Sequence, residues 1–328
     1  MQHKPEPSAT NEGLPSELLS QREGMRAWEQ SLVSALPLDK RVEEFYDQFC
    51  LPDGHSMKVK IFRRKESSSP EGRPLIILFH GGGFFAGSIE MCTRPGRDFA
   101  LLFDAVVISA SYRQCPEHPF PTPVLDAMDT IRYFAKHASR WGADVATGLV
   151  VGGMSAGATA AAIAAREFAL RQVDDNEVKI TGTYLCLPWL LMEEIVPSQY
   201  KNLWTSHKDN EGAEALSKIV TSFKIDVHSP FFSPINRDDS DASCAKLPPT
   251  YIQVGEKDFL RDDGIVYGEV LKSAGVSVRL DCMEGLGHAT FSIFPNPEEL
   301  ETKCTDGMGW LLGGRGYWLI QMYKTIYR

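Results

Sequence analysis

The stretch that decides the fold lies at residues 153–157, which read Gly-Met-Ser-Ala-Gly. A Gly-x-Ser-x-Gly pattern is typical of a sharp strand-to-helix turn, because glycines at both flanks tolerate the strained backbone that exposes the serine oxygen. An apolar run at 149–151 precedes it and an alanine-rich stretch at 158–170 follows it. The sequence therefore predicts that Ser155 lies between a buried strand and a buried helix.

A second motif, His-Gly-Gly-Gly-Phe at residues 80–84, follows the apolar residues 75–79, which predict another buried strand. Consecutive glycines leave backbone N–H groups with no side chains to block a substrate carbonyl. A serine hydroxyl becomes a good nucleophile when a base takes its proton and nearby donors stabilise the resulting oxyanion. The two motifs together indicate acyl-transfer chemistry, whereas either one alone would also fit an ordinary tight turn.

The composition excludes several classes of partner. The 328 residues are 43% hydrophobic and 23% charged, which fits one large globular domain or a domain with a lid. A net charge of −9 argues against nucleic acid or an anionic membrane as a partner. No stretch approaches the roughly 20 apolar residues that span a bilayer, and polar residues 1–7 lack the core of a secretion signal. The seven scattered cysteines fit reduced thiols, so we expect a cytoplasmic protein.

Apolar runs alternate with helical patterns along most of the chain. Continuously apolar strands separated by helices predict an α/β fold, with a mostly parallel central sheet covered by helices on both faces. A first helix is predicted at about 14–36. The predicted strands cover residues 41–50, 57–62, 75–79, 105–109, 149–151, 183–187, 251–254 and 278–282.

One region, residues 189–246, breaks this alternation: it has no clear strand but is dense in aromatic and apolar residues. A connection this long inside a compact domain is usually functional. We interpret it as a helical cap insertion over the carboxyl ends of the strands, where open α/β sheets bind their ligands. Trp189 and Leu190 in this region, and Phe84 beside the glycines, are candidate substrate-binding residues. The alternative is that the aromatic residues only form the core of the cap.

A serine nucleophile needs a base, and three histidines follow Ser155, as the chain order Ser, acid, His requires. His207 and His228 lie in the predicted cap, and we interpret them as surface or packing residues. His288 lies in a glycine-containing loop directly after the last predicted strand, so it is the candidate base. His80 is interpreted as a structural residue that helps to hold the glycine loop.

The candidate acid is Asp258, in the loop after the strand predicted at 251–254. It would hold the imidazole tautomer and stabilise the imidazolium without taking the proton itself. Asp262 and Asp263 fall where the next helix should begin, and acids at that position are usually N-terminal caps. Glu256 is the remaining, less favoured alternative.

These motifs resemble the hormone-sensitive-lipase-like family of α/β-hydrolases, which includes plant carboxylesterases. The resemblance implies an α/β-hydrolase fold and an oxyanion hole formed by the N–H groups of Gly82, Gly83 and Ala156. It also implies that the N-terminal segment joins residues 189–246 in the cap. The match covers roughly residues 74–310 and rests on residues 80–84, 112–113, 116–121, 153–157, 258–262 and 287–288.

The resemblance also defines the expected domains. Residues 1–40 are a flexible start and the N-terminal part of the cap. Residues 41–188 and 247–314 form the catalytic domain, and 189–246 form the cap insertion. An aromatic tail at 315–328 follows the family's last helix, and the alternatives for it are packing on the body, self-association or a feature peculiar to this chain.

Two positions at the serine motif depart from the family pattern. Many relatives have an acidic residue just before the nucleophile and a second glycine after the motif. This chain has Met154 and Ala158 there. Since neither is a triad member, we expect catalysis to be retained with a different local hydrogen-bond network.

The sequence therefore predicts a serine carboxylesterase that hydrolyses a small to medium apolar ester or lactone through an acyl-enzyme on Ser155. No metal or organic cofactor is implied. One alternative is a natural-product tailoring enzyme that uses the same triad for cyclisation, condensation or acyl transfer. A non-catalytic small-molecule receptor is less favoured, because the resembling plant gibberellin receptors have lost the histidine that His288 provides here. Pairing of an edge strand at 278–282 with a second copy would give a homodimer, as in resembling proteins.

Overall fold

An eight-stranded sheet lies at the centre of the protein in a computed structural model that describes residues 16–67, 72–171, 178–208, 210–236, 246–292 and 298–314. The spatial order of the strands is β1-β2-β4-β3-β5-β6-β7-β8. In chain order they are β1 (Val42–Cys50), β2 (Ser56–Arg64), β3 (Leu75–Phe79), β4 (Val106–Ala110), β5 (Leu149–Met154), β6 (Gly182–Cys186), β7 (Thr250–Gly255) and β8 (Val278–Met283).

The sheet is parallel from β4 to β8 and antiparallel at the edge formed by β1 and β2. Every residue of β3, β4, β6 and β7 is buried, because helices cover both faces. All eight predicted strands are present, with ends that differ by no more than three residues. The predicted mostly parallel sheet is confirmed.

Helices pack on both faces of the sheet, as predicted. The helices of the described residues are α1 (Ser16–Ala35), α2 (Thr93–Phe103), α3 (Thr122–Lys136), α4 (Ala156–Arg171), α5 (Glu211–Ser222), α6 (Arg261–Ser273) and α7 (Glu298–Leu311). One hydrophobic core joins α3, α4 and α6 to the sheet. A second core, on the opposite face, contains residues of α2 and α7.

Helix α4 is buried along nearly its whole length, from Ala156 to Ala169. Alanine is the best helix former and its small side chain lets the helix backbone approach β5 and β6 closely. Apart from Thr159, Arg166 and Glu167 the buried residues of α4 are apolar or glycine, so the helix is stable only when other elements surround it. This burial holds the start of α4 rigidly at the carboxyl end of β5.

Between β6 and β7 the described residues form helix α5 and short 3-10 turns, with no strand among them. Helix α1 is attached to the body near the glycine loop: Arg22 donates to the Phe85 carbonyl at 2.6 Å and to Glu117 at 2.5 Å. These contacts do not link α1 with residues 189–246, so the assignment of both to one cap stays a proposal. The first 15 residues of the segment 1–40, which was predicted as a flexible start and part of the cap, lie outside the described residues, as does the aromatic tail (315–328).

Candidate active site

The serine motif forms a tight turn between β5, which ends at Met154, and α4, which begins at Ala156. Ser155 itself has φ = +53°, a left-handed conformation that few non-glycine residues adopt. A Cβ on Gly157 would lie 2.2 Å from the Phe79 carbonyl oxygen, so only glycine fits there. The turn is therefore pressed against the end of β3, where the glycine loop starts.

Backbone hydrogen bonds hold this turn in place. The Ser155 N–H donates to the Cys186 carbonyl at 2.9 Å, and the Thr159 N–H donates to the Ser155 carbonyl at 3.1 Å. The Thr159 hydroxyl also donates to the Trp189 carbonyl and so connects α4 to the start of the cap region. Ser155 is 7% exposed, and its strained position is stabilised from three sides.

The glycine loop lies directly beside the serine. A Cβ placed on Gly81 would be 3.3 Å from the Ser155 Cβ and 3.1 Å from the Met154 carbonyl oxygen, so the loop and the serine turn are in close contact. Gly82 and Gly83 have φ values of +108° and +59°, which turn the backbone sharply. Among the described residues, no hydrogen-bond partner is found for the N–H groups of Gly82, Gly83 and Ala156. These three amides are free to donate to a ligand.

His80 supports the glycine loop from within the core, in agreement with its interpretation as a structural residue. The Gly81 carbonyl can only accept a hydrogen bond, so His80 Nδ1 carries the proton and donates to it at 2.7 Å. His80 Nε2 then has a lone pair and accepts from the Ser111 hydroxyl at 2.9 Å. The ring stacks on Tyr112 with centroids 4.5 Å apart. Burial lowers the pKa of His80 to about 4, because a charged imidazole has no water to solvate it there.

Asp258 follows β7 and His288 follows β8, and the two side chains meet beyond the carboxyl ends of these strands. The Asp258 carboxylate lies 3.0 and 3.1 Å from His288 Nδ1 and also accepts the Leu260 N–H at 2.9 Å. The Asp258 side chain is fully buried and that of His288 is 27% exposed. Because the carboxylate accepts the Nδ1 proton, Nε2 carries a lone pair that can take a proton.

The two loops that bring this pair together are themselves joined. Lys257, next to Asp258, donates its N–H to the Leu286 carbonyl at 2.9 Å, and the Phe259 ring lies 4.8 Å from the His288 ring. His288 begins a short 3-10 turn after β8. In the described structure no hydrogen bond joins Ser155 and His288, as is frequent without substrate.

Asp262 and Asp263 are not helix caps, so that prediction was wrong. The N-terminal cap residue of α6 is Leu260, and both aspartates are buried in the first turn. Asp262 accepts the N–H groups of Thr205 and Ser206 at 2.6 and 2.7 Å. These partners come from residues 189–246, and no local sequence signal shows a partner that is 57 residues away.

Asp263 holds the same region at other points. It accepts the N–H groups of Leu190 and Leu191 at 2.9 and 2.8 Å, and the ring nitrogen of His207 lies 3.0 Å from it. His207 is thus a packing residue, which was one of the two interpretations of it. The two aspartates attach residues 190–206, which lie in the predicted cap, to the helix that follows Asp258.

The three candidate substrate-binding residues lie in the core. Phe84, Trp189 and Leu190 are each 0% exposed. Trp189 packs between Phe84 and Phe232, with ring centroids 6.1 and 5.3 Å away. Contact of these three residues with a substrate stays a prediction.

Sequence reasoning missed Met91, which supports the glycine loop from the side. Its sulfur accepts the Gly81 N–H at 3.2 Å. Met91 lies in a short 3-10 turn at Ile89–Cys92, and nothing in the sequence distinguishes it from a core methionine. Met91 also lines a cavity of about 110 Å³ between the sheet and helices α1, α2 and α7.

The fold and this arrangement of serine, glycine loop and His–Asp pair define an α/β-hydrolase. A family profile described as alpha/beta hydrolase fold matches residues 76–292. The chain belongs to this family, and the expected place among the hormone-sensitive-lipase-like members is confirmed. Within the described residues, no helix has both the length and the apolar character needed to cross a bilayer.

Similar proteins include enzymes with several named activities. Esterase LipI of Mycobacterium tuberculosis is 37% identical over 215 residues, which are 66% of this chain and 65% of LipI, just under two thirds of its length. The crystal structure of a vibralactone cyclase superposes with a TM-score of 0.78 at 26% identity, covering 94% of this chain and 92% of that one. A hyperthermophilic esterase from the archaeon Pyrobaculum calidifontis gives 0.74 at 27% identity, with 90% and 93% covered.

Proposed function

We propose that this protein is a carboxylic ester hydrolase with Ser155 as nucleophile, His288 as general base and Asp258 as the residue that orients the base. The observation that carries the proposal is the buried Asp258 carboxylate 3.0 Å from His288 Nδ1. This pair and Ser155, which has a positive φ, all follow the carboxyl ends of parallel strands. Both features are expensive for a fold to maintain and are typical of catalytic sites.

In the proposed reaction, His288 Nε2 takes the proton of Ser155 as its oxygen attacks the ester carbonyl. The negative oxygen of the tetrahedral intermediate accepts the N–H groups of Gly82, Gly83 and Ala156. The intermediate collapses, the C–O bond to the alcohol breaks, and His288 protonates the leaving oxygen. Water then hydrolyses the acyl-enzyme by the same sequence of proton transfers, and the carboxylic acid leaves.

The substrate that we propose is a small to medium apolar ester or lactone. The esterase activity named for LipI and for the Pyrobaculum enzyme supports an ester. The density of apolar side chains around the glycine loop and the cap region supports an apolar one. No step of this reaction needs a metal or an organic cofactor.

A second candidate function keeps the same triad but delivers the acyl group to a nucleophile other than water. The similarity to a vibralactone cyclase favours cyclisation as one form of it. Here a hydroxyl of the substrate itself would attack the acyl-enzyme, and a lactone would leave. Mass analysis of the products from hydroxy-ester substrates separates the two, because hydrolysis adds water and cyclisation does not.

We also propose a cytoplasmic protein that forms homodimers. The six cysteines of the described residues are all free thiols, which supports a reducing compartment. Strand β8 lies at the edge of the sheet, where its unpaired backbone groups can pair with a second copy.

A fluorophosphonate probe tests the central proposal. It should label the wild-type protein at Ser155 with loss of turnover of p-nitrophenyl acetate. Ser155→Ala should remove both labelling and turnover, while Ser139→Ala, on an exposed turn, should change neither. Residual turnover above about a hundredth of the wild-type rate in Ser155→Ala would contradict the assignment, because losing a triad nucleophile has a far larger effect.

A further inference from the structure

Residues 82–88 form a turn that begins with two of the three proposed oxyanion donors. The N–H groups of Phe85 and Ala86 both donate to the Gly82 carbonyl, at 3.0 and 2.9 Å. That carbonyl and the Gly83 N–H belong to the same planar peptide group and point in opposite directions. Contacts that hold residues 85 and 86 therefore fix the direction in which the Gly83 N–H points.

Helix α1 reaches this turn through two charged side chains. Among the residues of α1 whose side chains are described, only Arg22 and Glu29 are buried. A helix on a protein surface normally buries an apolar stripe, and burying a charge is costly unless hydrogen bonds compensate for it. The two residues are about two helical turns apart, so they lie on one face of α1. Their burial indicates a specific contact rather than general packing.

Arg22 connects the turn to a second loop. Its Nε donates to the Phe85 carbonyl at 2.6 Å, and its Nη2 donates to the Cys115 carbonyl at 2.5 Å. Both terminal nitrogens also donate to the Glu117 carboxylate, at 2.5 and 2.8 Å. The Cys115 N–H in turn donates to the Phe84 carbonyl at 2.9 Å. The planar guanidinium thus holds the middle of the turn both directly and through residue 115.

Glu29 holds the end of the same turn. Its carboxylate accepts the Ser88 N–H at 3.0 Å and the Ser88 hydroxyl at 2.5 Å. Hydrogen bonds to a charged acceptor are stronger than those between neutral groups. Since Arg22 binds at residue 85 and Glu29 binds at residue 88, α1 restricts the movement of the turn at two points.

We propose that Arg22 and Glu29 are positioning residues, which hold the turn so that the Gly83 N–H points at the oxyanion of the tetrahedral intermediate. The inference rests on the proposed function, because it gives α1 a role in the same site. A donor stabilises a developing charge best when it is oriented before the reaction begins. A looser turn should stabilise the transition state less and bind the uncharged ester about as well, so kcat should fall while KM stays nearly constant.

The test compares Arg22→Gln and Glu29→Ala with two matched controls at exposed positions of the same helix, Arg26→Gln and Glu23→Ala. The kcat for p-nitrophenyl acetate is expressed per serine that a fluorophosphonate labels, so that unfolded protein does not contribute. Arg22→Gln and Glu29→Ala should each lose about 10- to 100-fold in this kcat and keep KM within about twofold. The controls should stay within about twofold of the wild type in both quantities.

A trifluoromethyl ketone provides a second readout, because Ser155 adds to it and gives a hemiketal oxyanion that resembles the intermediate. Its inhibition constant should rise by the same factor by which kcat/KM falls. A purely structural role would lower the amount of labelled protein or the unfolding temperature, and would leave kcat per labelled serine and the inhibition constant unchanged. That result, or an equal loss of kcat in the controls, would overturn the proposal.

The conservative variants Arg22→Lys and Glu29→Gln each keep part of the hydrogen bonding, so they should recover part of the lost rate. They also replace the larger changes if those prevent folding. In that case a smaller loss of kcat per labelled serine is the expected result, and an unchanged kcat in both would overturn the proposal.

Amide hydrogen exchange separates this proposal from the proposed function. Residues 82–88 should exchange faster in Arg22→Gln and Glu29→Ala than in the wild type, because their N–H groups are held less firmly, and at the wild-type rate in the two controls. Faster exchange would support the hold of α1 on the turn even if the wild-type protein turned over no ester. Unchanged exchange would overturn the proposal even if turnover and fluorophosphonate labelling were both present.

Discussion

The carboxylate of Asp263 accepts the indole N–H of Trp204 at 3.0 Å, although 59 residues separate the two in the chain. Asp263 is fully buried and lies in the first turn of α6, directly after the loop that carries Asp258. The contact therefore joins residues 189–246, the predicted cap, to the helix that follows the proposed catalytic acid. Loss of this carboxylate should disturb both.

Asp263→Asn should lower the free energy of unfolding by about 3 kcal/mol, because an amide places N–H groups against buried N–H donors that the carboxylate now satisfies. Asp262→Asn should lower the free energy of unfolding by about 2 kcal/mol for the same reason, since the Asp262 carboxylate accepts the backbone N–H groups of residues 205 and 206. Urea denaturation measures both. Glu269→Gln, on the exposed side of α6, is the control and should stay within about 0.5 kcal/mol.

Asp258→Asn should reduce kcat by about 10⁴-fold while the protein remains folded, because an amide in this place favours the wrong tautomer of His288. Glu256→Gln, in the same loop but exposed, should change kcat by less than about threefold. Steady-state kinetics with p-nitrophenyl acetate measures both. If Glu256→Gln were the inactive variant, Asp258 could not be the acid.

Gly157→Ala should reduce both activity and stability, because the added Cβ would lie 2.2 Å from the Phe79 carbonyl oxygen and 2.4 Å from that of His80. The serine turn would have to move away from the glycine loop, and displacements of this kind have large effects on rate. Gly24→Ala, in α1 with no atom within 4 Å of the new Cβ, should stabilise the protein by about 0.5–1 kcal/mol. Thermal unfolding and ester turnover of the two variants give the comparison. Equal activity in both would contradict the proposed contact between the two loops.

His80 should make stability depend on pH. Burial lowers its pKa to about 4 in the folded protein, from 6.5 in an exposed imidazole. Between these values the unfolded chain binds the proton and the folded protein does not, so stability falls as the pH decreases from about 6.5 to about 4. The contribution is about 3 kcal/mol across that range.

Free energies of unfolding at pH 7 and pH 4.5, for the wild type and His80→Gln, isolate this contribution, because the other titrating groups are common to both proteins. The wild type should lose about 2–3 kcal/mol more than the variant on acidification. A parallel loss in the two proteins would show that His80 is not the group responsible.

Much of the architecture was predictable because its causes are local. Continuous apolar runs predicted the central strands of the sheet, as with residues 75–79, whose bounds were predicted without error. The flanking glycines of Ser155 predicted the tight turn, since few other residues allow such close backbone approach. His80 was interpreted correctly as structural from its place in the glycine motif.

The contacts between distant segments were not predictable. The sequence by itself determined where the serine turn and the glycine loop form, because Gly-x-Ser-x-Gly and the glycine run are short-range requirements of backbone conformation. Only the tertiary structure decided that Asp262 and Asp263 hold the cap region, since their partners lie 56 to 73 residues away. It also decided that Phe84, Trp189 and Leu190 are buried in the core, and that Met91 and Met154 border a cavity. Packing of several elements against one another creates such features, and no single stretch of sequence contains all of the atoms that define them.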